Sequence, residues 1–237
     1  MIIGGIISAG HGERLKKAFP NKPKPLVEVA GRPLLARTVD EFKRAGIKKI
    51  IIIFRKDITG ACKELLKEEF KDISFEIISR DTKSSFESFI SLFEKVKNDK
   101  DKLLITTVDS IFKKGALKDF LIQADKMAKD EALFLGTTRF IDDEKPLYVT
   151  IGQNGKIVAI GKEKTKNVTC GVYFVPAKLI KNQSYESFSA LREFLAHLHS
   201  KKVPFYSIEL DQVIDVDRPE DLKFAEKILL NPEKNLL

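Results

Sequence analysis

The chain has 237 residues, 43% of them hydrophobic, and 42 lysines and arginines against 34 acidic residues give a formal charge of +8. That length suits one α/β domain rather than two, and the apolar share excludes a disordered chain or a small disulfide scaffold. Cys62 and Cys170 stand singly in no metal or redox motif, and no run is long enough for a signal core or membrane span, so the expectation is a soluble, cytoplasmic protein with reduced thiols.

A basic excess attracts anions, either nucleic acid or small phosphate compounds. Lysine, glutamate and aspartate are interleaved here over the expected helices, with no RNA-binding aromatic motif and no arginine stripe, so nucleic acid is not an expected partner. Nor is a membrane.

In chain order, Ile2–Ser8 is a short apolar run rich in β-branched residues and predicts a buried strand. Leu34–Ala45 has Leu35, Val39 and Phe42 at helical spacing before Gly46. Lys48–Phe54 predicts a second buried strand, Ile58–Phe70 a helix and Ile73–Ser79 a third strand. Ser84–Val96 predicts a helix opened by Ser84 and Ser85, with Phe86, Phe89 and Phe93 on a core face. Lys102–Val108 predicts a fourth strand ending at Asp109, followed by a helix over Gly115–Met127 and a strand over Ala132–Thr138. The rhythm then changes to two β runs around Gln153-Asn154-Gly155, a strong hairpin signal. Val168–Val175 and Pro204–Leu210 predict strands, and Phe188–His199 and Pro219–Leu229 predict helices. The alternation predicts an α/β fold: a Rossmann-like, doubly wound, mostly parallel mixed sheet with an antiparallel insertion after about residue 140. One domain over 1–237 accounts for it, with a first half over about 1–139, an antiparallel insertion and sheet edge over about 140–215, and a closing helix over 216–237.

Open α/β sheets bind ligands at the carboxyl ends of their strands. The first such end carries Ala9-Gly10-His11-Gly12-Glu13-Arg14, where glycines let backbone N–H groups approach a phosphate. Leu15 replaces the third glycine of a dinucleotide fingerprint, and no Gly-Lys-Ser/Thr follows, so neither that fingerprint nor a Walker loop is present. A plain βα turn would also explain the glycines. Lys22-Pro23-Lys24-Pro25-Leu26 then places two ammoniums in a backbone stiffened by proline, which suits preorganised charge on phosphate better than it suits a solvated loop.

The run Ala9-Gly10-x-Gly12-x-Arg14, then Pro23-Lys24-Pro25-Leu26, then Gly31-x-Pro33-Leu34 resembles the signature of the nucleotidyltransferase superfamily that includes sugar-1-phosphate nucleotidylyltransferases and small cytidylyltransferases for polyol phosphates and phosphocholine. Asp109 in "TTVDSIF" stands where that family places a Mg²⁺-holding aspartate. Asp215 in "IDVDRPEDL" stands where it places the second, with Asp217 as a metal partner or a supporting residue. The resemblance implies a nucleotide-diphospho-sugar transferase type of fold. It further implies transfer of a nucleoside monophosphate from a nucleoside triphosphate to a small phosphorylated acceptor, with release of pyrophosphate and Mg²⁺ as cofactor. Ser8, Ala9, Gly10, Gly12 and Arg14 would line the nucleotide, and Arg14 and Lys24 would act on the reacting phosphates. Ser84 and Ser85 fall where many relatives read the base, although N-capping explains them equally well. Glu163, Lys164 and Gly171 would meet the acceptor, but Thr165 replaces the proline of the family's Glu-Lys-Pro.

Two other readings compete. A molybdopterin-type guanylyl- or cytidylyltransferase usually carries Lys-Ala, against which Pro25 argues. A non-catalytic nucleotide-binding regulator has no reason to keep Arg14, Lys24, Asp109 and Asp215 together. His11, His197 and His199 are not expected ligands. The sequence leaves base, acceptor and homo-oligomer formation open.

Overall fold

Four runs of isoleucine, leucine and phenylalanine make up the parallel centre of one sheet, and the helices between them cover both its faces. The computed structural model of the chain describes residues 1–127, 131–140, 146–161, 163–181, 185 and 188–230. Its first half comprises β1 (Ile2–Ser8), α1 (Glu13–Ala18), β2 (Glu28–Val29), β3 (Arg32–Pro33), α2 (Leu34–Arg44), β4 (Lys49–Phe54), α3 (Thr59–Glu69), β5 (Ser74–Ser79), α4 (Ser85–Phe93), β6 (Lys102–Thr107), β7 (Ser110–Phe112) and α5 (Ala116–Met127). The second half comprises β8 (Leu133–Thr138), β9 (Tyr148–Ile151), β10 (Ile157–Gly161), β11 (Asn167–Pro176), α6 (Lys178–Lys181), α7 (Leu191–Ser200), β12 (Phe205–Glu209), β13 (Val213–Asp215) and α8 (Pro219–Leu230).

The main sheet has nine strands and runs β10-β9-β11-β6-β1-β4-β5, with β8 joined to β11 and β12 joined to β8. β6, β1, β4 and β5 are mutually parallel, β11 lies antiparallel between β6 and β8, and β12 is parallel to β8. The turn expected at Gln153-Asn154-Gly155 joins β9 to β10, with Asn154 and Gly155 both at positive φ. Each face has its own core. Ile3 and Ile7 pack with Phe89 and Phe93 of α4 and Phe194 of α7, and Ile6 packs with Phe42 of α2 and Phe120 of α5. Each fully buried phenylalanine contributes roughly 1.5–3 kcal/mol. Phe86, Phe89 and Phe93 are therefore core side chains, as their spacing suggested, with Phe86 and Phe194 ring centroids 4.9 Å apart. Among the described residues no helix is long and apolar enough to cross a membrane.

The helix expected over 84–96 is shorter. It ends at Phe93, and tight turns (Lys95 N–H to Leu92 O, Val96 N–H to Phe93 O) tuck Val96 back into the core. Besides the short helices α1 and α6, two small features have no counterpart in the expected pattern. One is the β2–β3 hairpin. The other is a ribbon in which β13 pairs antiparallel with β7, setting Asp215 opposite Ser110. A third apolar cluster, with Leu15, Val29, Ile111, Ile214 and Leu222, ties α1, the hairpin, the ribbon and α8 together at the carboxyl edge of the sheet.

Candidate active site

The glycine loop leaves the end of β1. Ala9 is buried, and Gly10 has open space where a Cβ would stand. Gly12 caps α1 at φ 59°, a left-handed conformation that side chains resist, and a Cβ there would lie 3.0 Å from Lys24 Cδ. Glycine is thus required twice over, for the turn and for the lysine stem lying across it. Arg55, at the end of β4, escaped the sequence analysis: its Nη1 donates to Gly10 O at 3.4 Å, and its Nε and Nη2 fork onto Asp57 at 3.0 and 2.8 Å. The basic pair Arg55-Lys56 directly after a buried strand was the available signal.

Pro23, Lys24 and Pro25 lead into a 3₁₀ turn over Lys24–Leu26, closed by Leu26 N–H to Pro23 O at 2.8 Å. That turn directs Lys24 inward until only 9% of its side chain is exposed. Its ammonium donates to Asp109 Oδ2 and, at 2.5 Å, to Asp217 Oδ1. Burial by itself would lower the lysine's pKa, but the two carboxylates outweigh it and hold it above the ordinary value. Arg14 Nη1 stands 3.9 Å from Asp217 Oδ2.

Asp109 lies in the two-residue turn between β6 and β7, and its carbonyl accepts from Val216 N–H at 3.0 Å. Burial raises its carboxyl pKa, yet Lys24, helped by the Thr107 hydroxyl, leaves it below the ordinary value. Asp109 Oδ1 is buried with no hydrogen-bond partner among the described residues. Through the β7–β13 ribbon Asp215 is brought beside Asp109. The surrounding protein, and next the Asp109 carboxylate, hold its carboxyl well above the usual range. Asp217 is fixed by its backbone, since Asp221 Oδ2 accepts from Asp217 N–H at 2.8 Å and Arg218 N–H at 2.6 Å at the start of α8. This explains the aspartate of the Pro-Glu-Asp run.

Beyond Asp215 lies a cavity of about 180 Å³, walled by Thr107, Ser110, Thr169, Gly171, Tyr173 and Asp215 among others. Gly171 has φ 74°, and a Cβ on it would lie 3.0 Å from Ser110 Oγ. Glu163 and Lys164 are exposed between β10 and β11 and are not part of that wall. Cys170 is free and half-buried, and burial together with the nearby Asp215 raises its thiol pKa, which disfavours the thiolate.

The remaining candidates are dispersed. Ser84 Oγ accepts from Glu87 N–H at 3.1 Å as the N-cap of α4 and donates to Phe188 O, while Ser85 Oγ accepts from Leu191 N–H at 2.9 Å. Both hydroxyls knit α4 to the start of α7. Ser8 is buried, and its Oγ has no partner among the described residues. His11 is exposed 4.0 Å from Glu13. His197 packs on Phe188, and His199 lies 3.3 Å from Ile157 O. A larger cavity behind the ribbon contains Arg32, Arg37 and Arg44. Arg32 is paired with Asp40 and Glu69, Arg44 with Glu41, and Arg37 donates to Val29 O and Ala30 O.

Comparison with known proteins bears on the family and the fold. The family model described as nucleotidyl transferase matches residues 3–222. The bifunctional IPC transferase and DIPP synthase of Aquifex aeolicus is 27% identical over 229 residues, covering 95% of this chain and 51% of that protein. The chain thus spans about half the length of that relative. The choline-phosphate cytidylyltransferase of Streptococcus pneumoniae is 30% identical over 241 residues, 95% of this chain and 97% of that one. The structure of the inositol-1-phosphate CTP transferase from T. maritima superposes with a TM-score of 0.78 at 19% identity, covering 98% and 96% of the two chains, which shows a shared fold.

Proposed function

Because this chain belongs to the nucleotidyl transferase family, we propose that it moves a nucleoside monophosphate from a nucleoside triphosphate to a small phosphorylated polyol or sugar. An acceptor phosphate oxygen forms a bond to the α-phosphorus, the bond from that phosphorus to the bridging oxygen of the β-phosphate breaks, and pyrophosphate leaves. The acceptor phosphate is already ionised at neutral pH, so no side-chain nucleophile is needed, and catalysis rests on positioning and electrostatics.

The observation that carries this reading is the convergence of Lys24, Arg14, Asp109 and Asp217, with the Lys24 stem lying against the left-handed backbone of Gly12, at the carboxyl edge of the sheet. Gly10 and Gly12 present backbone to the triphosphate, Arg14 forks onto its outer oxygens, and Lys24 is a point charge for the reacting phosphates. Arg55 holds the loop through Gly10 O. The acceptor's carbon skeleton would occupy the cavity beyond Asp215, whose Thr107, Ser110 and Thr169 offer hydroxyls. Glu163 and Lys164 would have to approach from the β10–β11 connection.

The donor set fits Mg²⁺. Asp109 Oδ1 is a buried oxygen lacking a partner among the described residues, and Asp215 stands next to Asp109. Among the described residues no group of three or more acidic, histidine or cysteine side chains is placed to hold a metal by itself, so an ion here would depend on one or two carboxylates together with substrate phosphates. Bound there, the cation would neutralise triphosphate charge. Two of the relatives are named for cytidylyl or CTP transfer, which makes CTP the first triphosphate to test.

The test is pyrophosphate release with Mg²⁺, crossing four nucleoside triphosphates with inositol, glycerol, sugar and choline phosphates. Release from one triphosphate with a polyol or sugar phosphate is expected. Release with choline phosphate alone would overturn the acceptor class. Silence together with no triphosphate binding would overturn the reading.

A further inference from the structure

Asp217 is an anion set among the cations that would receive phosphate. One of its oxygens takes the Lys24 ammonium at 2.5 Å, and the other faces Arg14 Nη1 at 3.9 Å. A triphosphate bound by Arg14 and Lys24 offers those groups the same kind of oxygen, so carboxylate and phosphate compete for one pair of cations. The two carboxylates on Lys24 are not equivalent. Asp109 is 19% exposed and its own backbone carbonyl is tied to Val216, whereas the Asp217 side chain is 45% exposed at the mouth of the site. The backbone of Asp217 is anchored by Asp221, leaving its side chain as the partner that can exchange. A buried ammonium needs a counter-charge at all times. Asp109 remains one, and the second position can pass from Asp217 to a substrate phosphate.

We infer that Asp217 is a positioning residue that stands in for a substrate phosphate. It holds Lys24 and Arg14 together and aimed, and releases them when the triphosphate arrives. This rests on the nucleotidyl-transfer reading, and it assigns Asp217 to the lysine rather than to the metal.

The test measures binding of CTP, ATP, GTP and UTP to the full chain in EDTA by calorimetry, beside Mn²⁺ binding in the presence of triphosphate by electron paramagnetic resonance. Asp217→Asn keeps the shape and removes the competing charge. It should bind metal-free triphosphate about tenfold more tightly, the scale of one charge-assisted hydrogen bond. It should also lower kcat at saturating substrate and leave the Mn²⁺ midpoint unchanged. Asp217→Glu, which keeps the charge, should stay near the wild-type affinity and guards against a fold defect in the asparagine variant. Unchanged or weaker triphosphate binding in Asp217→Asn would overturn the inference, as would a tenfold weaker Mn²⁺ midpoint, which would make Asp217 a metal ligand. A wild-type chain that binds a triphosphate with Mg²⁺ but none in EDTA would overturn this inference alone, and one that binds none of the four under either condition would overturn the functional reading and this inference with it.

Discussion

Replacing Lys24 with methionine tests the centre of the site without reference to catalysis. Methionine matches the length of the lysine stem lying over Gly12, so the change removes charge more than volume. In the wild type the ammonium is 9% exposed between Asp109 and Asp217. Removing one partner of a buried pair costs about 3–5 kcal/mol, and the lower end, about 3 kcal/mol, applies because Asp217 can rehydrate at the mouth. For a chain of this size that is about 6–12 °C in Tm. The pH dependence has a definite sign. The carboxyl pKa of Asp109 is depressed, so its contribution is present above the ordinary aspartate range of about 4 and is lost as pH falls below it. The pKa of Lys24 is raised, so its contribution is complete below the ordinary lysine value of about 10.4 and is lost as pH rises beyond it. The gap between wild type and Lys24→Met should therefore be flat across neutral pH and narrow towards acid. Urea unfolding followed by circular dichroism measures it, with Asp109→Asn and the double variant completing a cycle. A deficit under about 1 kcal/mol at pH 7, or additive effects in the cycle, would refute the buried-pair argument.

Three further outcomes are expected. Asp109→Ala should lose at least about 10²-fold in turnover while keeping its far-ultraviolet spectrum, the scale for removing one electrostatic stabiliser; near-normal pyrophosphate release would remove Asp109 from the site. Gly171→Ala puts a Cβ 3.0 Å from Ser110 Oγ at φ 74°, and should cost about 1–2 kcal/mol while raising the acceptor KM more than the triphosphate KM. Ser84→Ala removes the cap on Glu87 N–H and should cost about 1 kcal/mol with triphosphate affinity unchanged. A selective loss of affinity for one base in that variant would instead give Ser84 a base-reading role.

Local chemistry made much of this protein legible before its structure. β1, β4, β5 and β6 are announced by runs of apolar, largely β-branched residues, α2 by 3.6-residue spacing, and the β9–β10 turn by Asn-Gly, because each signal lies within a few residues of what it specifies. Gly12 is of the same kind, since a left-handed turn after a strand requires glycine wherever the chain folds. Other features were decided by pairings between distant segments. β11 enters between β6 and β8, and the three-residue strands β7 and β13, too short to show alternation, join residues about a hundred apart and so bring Asp215 to Asp109. Lys24 meets Asp217 across 193 positions, and Arg55 reaches Gly10 across 45. The sequence by itself determined which residues carry charge and which turns need glycine. Only the tertiary structure decided which carboxylate holds the lysine, because an ion pair depends on the distance between side chains, and nothing in the local pattern encodes that distance.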